Sequence, residues 1–118
     1  MKKCKITVLK RTLNADLTGD FVGMPVSPCE LFQEGQEFIF TPFMERPQGF
    51  CEWAWNDIYK TIITLARGGN FSDGMFENWM KEPRTMVTCC TDGIRPVVFK
   101  VEIIDQPVER VESIAETA

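Results

Sequence analysis

Five cysteines and no histidine delimit the chemistry open to this chain of 118 residues. Without imidazole there is no Ser-His-Asp or Cys-His catalysis, no histidine-based zinc site and no histidine proton shuttle. The thiols are Cys4, Cys29, Cys51, Cys89 and Cys90. Their spacing contains no Cys-x-x-Cys knuckle, so the usual zinc and thioredoxin signatures are missing. A zinc or iron–sulfur site could still be assembled from residues distant in sequence, since four thiolates suffice for either. A thiol pair is a second option, with Cys51 meeting Cys89 or Cys90. The first reading is plainer: structural thiols that bind no cofactor, because free cysteine behaves as a small buried hydrophobe.

Other side chains compete for a functional role. Trp53 falls on the polar side of its helix, so it is either an exposed aromatic or part of a contact surface. Together with Phe71, Met75, Phe76, Trp79 and Met80 it could form one apolar patch, and such patches mark partners or grooves. The alternative is that the segment 70–83 folds back over Trp53 within one chain. Arg95 is a candidate anion contact, because its planar fork of donors suits carboxylate or phosphate. Glu52, Asp57 and Asp92 are further polar candidates, Asp92 chiefly as a turn residue. Glu34 and Glu37 lie three apart across a turn, with nothing to aim both at one centre. Gly68-Gly69-Asn70 follows a helix and lacks the Lys-Ser/Thr pair, so it is a helix stop and not a phosphate loop.

The elements that must hold these residues can be read from periodicity. Residues 2–10 alternate, with Cys4, Ile6 and Val8 on one face, as a half-buried strand does. Turn formers crowd 13–28, which reads as an irregular excursion. Short strands are expected at 36–41 and 85–90, and the strongest at 96–105, where Val97, Phe99, Val101 and Ile103 share a face. Asp92-Gly93 carries a hairpin signature. The one long amphipathic helix is expected at about 50–67. Cys51, Ala54, Trp55, Ile58, Ile62, Leu65 and Ala66 fall there within an arc of about 120°. Gly68 and Gly69 end it. One further helical turn is expected over 76–81. The expected class is α+β: one helix on a small, mostly antiparallel sheet, either open or curled like a barrel. Residues 1–106 form one domain in this reading, followed by an acidic, frayed tail at 107–118.

Four blocks carry a resemblance: Lys3-Cys4-Lys5-Ile6-Thr7-Val8; Cys29-Glu30-Leu31-Phe32 with Glu34-Gly35-Gln36-Glu37-Phe38; Gly49 to Tyr59; and Cys89 to Lys100. The Cys-x-Trp-Ala-Trp and Cys-Cys-Thr-Asp-Gly runs are the distinctive ones. The chain resembles a family of short, functionally uncharacterised proteins common in anaerobic bacteria and archaea. The resemblance spans most of 3–104 and implies no activity, cofactor or catalytic residue. Residues 72–77 and the tail depart from it.

Composition narrows the functional classes. Hydrophobic residues at 44% and charged residues at 25% are ordinary for a globular domain. A net charge of −4 argues against a phosphate-backbone binder, even with Lys2, Lys3, Lys5, Lys10 and Arg11 clustered at the start. Those charges also interrupt any export signal, and no apolar run is long enough to span a membrane. The expected compartment is the cytoplasm, where thiols stay reduced. The expectation is a small cytosolic binding or interaction module, not an enzyme, with a homodimer as a possible assembly. The alternative is a thiol-dependent redox or metal protein built on Cys51.

Overall fold

The structure, a computed structural model, describes residues 1–42 and 45–106. Four strands, β1 (Lys3–Arg11), β2 (Glu37–Phe40), β3 (Thr85–Cys89) and β4 (Val97–Ile104), form one sheet in the order β2-β1-β4-β3. Every pairing is antiparallel. The long strands take the centre, where both their edges are hydrogen-bonded. Along β1 the burial alternates, with Cys4, Ile6 and Val8 inside. In β4 the inner set is Val97, Phe99 and Val101. On the outer face, Lys5 bridges Glu37 of β2 and Glu102 of β4 at 3.5 and 3.6 Å.

Two helices complete the α+β fold: α1 (Ala15–Phe21) and α2 (Glu52–Ala66). Helix α2 covers the inner face of the sheet, burying Ala54, Ile58, Thr61, Ile62, Leu65 and Ala66. It starts two residues later than the periodicity predicts. Gly49 at φ +83° and the Phe50 N–H donating to the Pro47 carbonyl hold the preceding residues in a turn. It ends in a Schellman motif: Gly68 donates to Leu65, and Gly69 to Thr64 at 2.8 Å. Gly68 has φ +94°, and a Cβ on Gly69 would lie 2.8 Å from the Thr64 side chain. Both glycines are therefore required, for different reasons.

The sheet is open, which corrects the barrel-like alternative. Strands β2 and β3 are its two edges. Four strands are too few to enclose a filled interior, and α2 supplies the second layer instead.

Local expectations are also corrected. Residues 15–21 are helical although Gly19 and two aspartates sit there. Helix α1 buries none of its residues, so the apolar stripe that would reveal a helix is missing. The extra helical turn falls at Gly74–Phe76 and is of the 3-10 type. The hairpin expected around Asp92-Gly93 is present: β3 and β4 pair antiparallel across a connection that spans 90–96. There the Asp92 carboxylate accepts the N–H groups of Ile94 and Arg95, both at 2.9 Å, and shapes the loop. The tail expected at 107–118 lies outside the described residues.

Six aromatic rings bind these layers. Phe50 meets Phe32, Phe38, Phe99 and Trp55 at centroid distances of 4.8–5.7 Å. Phe40 adds to the set through Trp55 at 6.0 Å. Phe32 and Phe50 come from irregular segments, so they tie the loop at 29–32 and the start of α2 to the sheet.

A thiol-lined cleft as candidate functional site

A cleft of about 470 Å³ opens at the N-terminal end of α2. Cys29, Leu31 and Phe32 form one side, Cys51, Trp53 and Ala54 a second, and the segment from Cys90 to Val97 a third. Three stretches far apart in sequence thus converge on it.

Each wall is fixed by identifiable bonds. The Arg11 guanidinium donates to the Cys29 carbonyl at 3.0 Å, which holds the first wall against the end of β1. Cys51 is the N-cap of α2, and its side chain caps no backbone N–H. The N–H groups of Glu52, Trp53 and Ala54 have no intrahelical acceptor, as at any helix start. They and the helix dipole give this end of the cleft a partial positive charge.

The third wall is the most heavily tied. Asp57, on the second turn of α2, accepts the Thr91 N–H at 2.7 Å and the Thr91 hydroxyl. The Trp53 indole N–H donates to the same hydroxyl oxygen at 2.9 Å. From the other side, Asn14 donates its side-chain amide to the Gly93 carbonyl at 2.7 Å and its backbone N–H to Ile94. Thr12 donates both backbone N–H and hydroxyl to the Pro96 carbonyl at 2.9 Å. The loop is thereby preorganised between α2 and the residues that follow β1.

Arg95 lines the cleft, with its Nε paired to Asp92 at 3.2 Å. Among the described residues, no protein acceptor meets its two Nη groups. Burial pushes the Asp92 carboxyl up. The backbone N–H groups of Arg95 and Ile94, with the Arg95 guanidinium, outweigh that and hold it below its ordinary value of 3.8. Asp92 and Arg95 also line a neighbouring surface hollow with Met24, Val26 and Leu31.

The five thiols separate into three settings. Cys29, Cys51 and Cys90 share the cleft. Cys29 and Cys90 are each 8% exposed, and Cys51 is half-buried. The Cys90 sulfur accepts the Val97 N–H at 3.3 Å. Cys89 is exposed on the edge strand β3. Cys4 is sealed in the core, where burial pushes its thiol from 9.0 up to about 11. Among the described residues, no group of three or more Cys, Asp or Glu side chains is placed to hold a metal ion.

The aromatic candidates do not gather in one place. Trp53, 64% exposed, belongs to the first turn of α2 and to the cleft. The residues 70–83 follow the last turn, about 20 Å along the helix axis. There Phe71 stacks on Phe76 at 5.1 Å, Phe71 leans on the core, and Met75 and Trp79 stay exposed. Glu52 is exposed and does not line the cleft. Sequence reasoning missed Leu31, Phe32, Thr91 and the positioning residues Arg11, Thr12 and Asn14. The one available signal was Cys29-Glu30-Leu31-Phe32, a thiol and two large apolar residues inside a polar loop.

No helix among the described residues is long and apolar enough to cross a membrane. Comparison with protein-family models, with curated proteins and with solved structures finds no match to this chain.

Proposed function

We propose that the protein is a small-molecule-binding module and that the cleft at the start of α2 is its binding site. The observation that carries this reading is the convergence of three sequence-distant walls on one cavity of about 470 Å³. That volume lies within the range of small-ligand pockets, roughly 300–1,000 Å³. Leu31, Phe32, Ala54, Val97 and the Trp53 ring provide apolar wall. Arg95 and the first-turn N–H groups of α2 provide donors. This chemistry suits a small carboxylate with a planar apolar body, the ring against Trp53 and the carboxylate on the donors.

Phenylacetate is a suitable probe, with the uncharged phenylacetamide as its control. Titration should change indole fluorescence saturably, more weakly with the amide, and the Arg95→Gln variant should narrow the difference between the two. A flat titration with both compounds counts against the reading.

A second reading, thiol-dependent chemistry, is favoured by one specific fact: three of the five cysteines line this same cleft. The placement of the chain with the short proteins of anaerobes rests on the four sequence blocks alone.

A further inference from the structure

We propose that the cleft takes a small, carboxylate-bearing disulfide as its reacting ligand, with Cys51 as the attacking thiol and Cys90 as the resolving one. This rests on the binding-site reading above and names its substrate class.

Four observations lead there. The cleft holds thiols but no histidine, no lysine lines it, and its carboxylate, Asp92, is engaged by the Ile94 and Arg95 N–H groups and the Arg95 guanidinium. Hydrolytic chemistry needs a base and an activated water, whereas thiol–disulfide exchange needs only a thiolate, a disulfide and access. Of the three cleft thiols, Cys51 is the most accessible, which suits it to meet an incoming molecule. It occupies the N-cap of a helix of 15 residues whose first-turn N–H groups are uncapped by its side chain. A carboxylate held by those groups and by Arg95 would place its disulfide in the cleft with Cys51. Cys90 is held alongside the same two helical turns, because its neighbour Thr91 is bonded to both Trp53 and Asp57. Ala54, one turn on from Cys51, lines the cleft with Cys90.

The chemistry balances without any further reagent. The Cys51 thiol loses its proton to solvent, and its sulfur attacks one sulfur of the disulfide RSSR. The S–S bond breaks, a Cys51–SR mixed disulfide forms, and RS⁻ leaves and is protonated. Cys90 then loses its proton and attacks the Cys51 sulfur, expelling the second RS⁻. The sum is two protein thiols plus RSSR giving one protein disulfide and two RSH. The protein is oxidised by two electrons and the small disulfide is reduced by two. Cys4, sealed in the core, takes no part, and Cys89 serves as an internal reference for unassisted exchange.

The test uses the full chain with dithiodipropionate, quenched by acid and read by peptide mass mapping. Cys51 should react at a rate that saturates with disulfide concentration. Below saturation it should outpace Cys89 by about tenfold or more, because bound reactants gain effective concentration. Wild-type protein should proceed to a Cys51–Cys90 disulfide, while Cys90→Ser should stop at the mixed disulfide on Cys51. The uncharged bis(2-hydroxyethyl) disulfide should lose most of the advantage over Cys89, and phenylacetate should slow Cys51 alone.

The proposal is overturned if Cys89 reacts as fast as Cys51. It is equally overturned if the Cys51 rate rises linearly without saturation, or if wild-type protein keeps the mixed disulfide unlinked to Cys90. The rate comparison within wild-type protein needs no variant to fold. Should phenylacetate still bind while the exchange shows no preference, the exchange proposal falls and the binding reading stands.

Discussion

The two ends of α2 carry similar side chains and are built in opposite ways. At its start, Trp53 stands beside a cleft whose walls come from residues 29–32, 51–54 and 90–97. The bonds that fix this end join residues far apart in sequence: Asn14 to Gly93, Thr12 to Pro96, Asp57 to Thr91. At the other end, the loop at 70–83 also displays Met75, Phe76 and Trp79, but most of its bonds are local. Asn70 accepts from Ser72 and Asp73, Phe76 donates to Asp73, and Met80 donates to Phe71. Exposed aromatics are thus common to both ends. What distinguishes the cleft is that the fold as a whole positions it, so its geometry persists only while the sheet, helix and loops agree.

Substitutions can break that contrast. The largest effect is expected at the cleft end from Phe50→Ala, which removes a ring packed on Phe32, Phe38, Phe99 and Trp55. It should cost about 3–5 kcal/mol in urea unfolding. Phe76→Ala in the loop should cost about 1 kcal/mol or less, since surface changes seldom do more. Equal costs would erase the distinction.

Next is Asp57→Ala, which strips Thr91 of its acceptor and unties the Cys90–Val97 wall. A loss of about 2 kcal/mol is expected for hydrogen bonds to a carboxylate. Asn70→Ala, which removes only local turn bonds, should cost about 1 kcal/mol. Phenylacetate binding should weaken in the first variant and not in the second. Gly68→Ala should cost about 1–2 kcal/mol, because an L side chain resists φ +94°. It should leave phenylacetate binding intact.

The pH dependence is subtler. The Cys4 thiol ionises near 9.0 in the unfolded chain and at about 11 in the folded one. Unfolding then releases a proton, so this stabilising contribution is complete below pH 9.0 and is lost as pH rises toward about 11. Cys4→Ala should flatten that alkaline decline in chemical denaturation. Asp92 acts in the other direction. Its carboxyl is held below 3.8, so its contribution is present above that pH and disappears as pH falls through the lower folded value.

The sheet and helix were legible because their signals are local. Alternation along β1 and β4 and the apolar arc of α2 follow from the periods of two and 3.6 residues. Cys89 closes β3 and is exposed, whereas Cys90 opens the connecting segment and is buried. The cleft was not legible, for a physical reason. Nothing near Cys29 in sequence indicates that Arg11 will hold its carbonyl or that Phe32 will reach Phe50 and Phe99. Helix α1 escaped detection because it buries none of its residues. Trp53 lines the cleft at the start of α2, whereas Phe71 and Phe76 pair with each other in the segment that follows its end. Asp92 was read as a turn residue; its bonds to Ile94 and Arg95 show that role, and it also anchors the arginine that lines the cleft.

The binding claim is tested most directly by amide chemical shifts in isotopically labelled protein titrated with phenylacetate. Residues 29–32, 51–54 and 90–97 should shift together along one saturation curve, while 70–83 stay unmoved. Shifts confined to 70–83, or none at any concentration, would contradict the assignment of the cleft as the binding site.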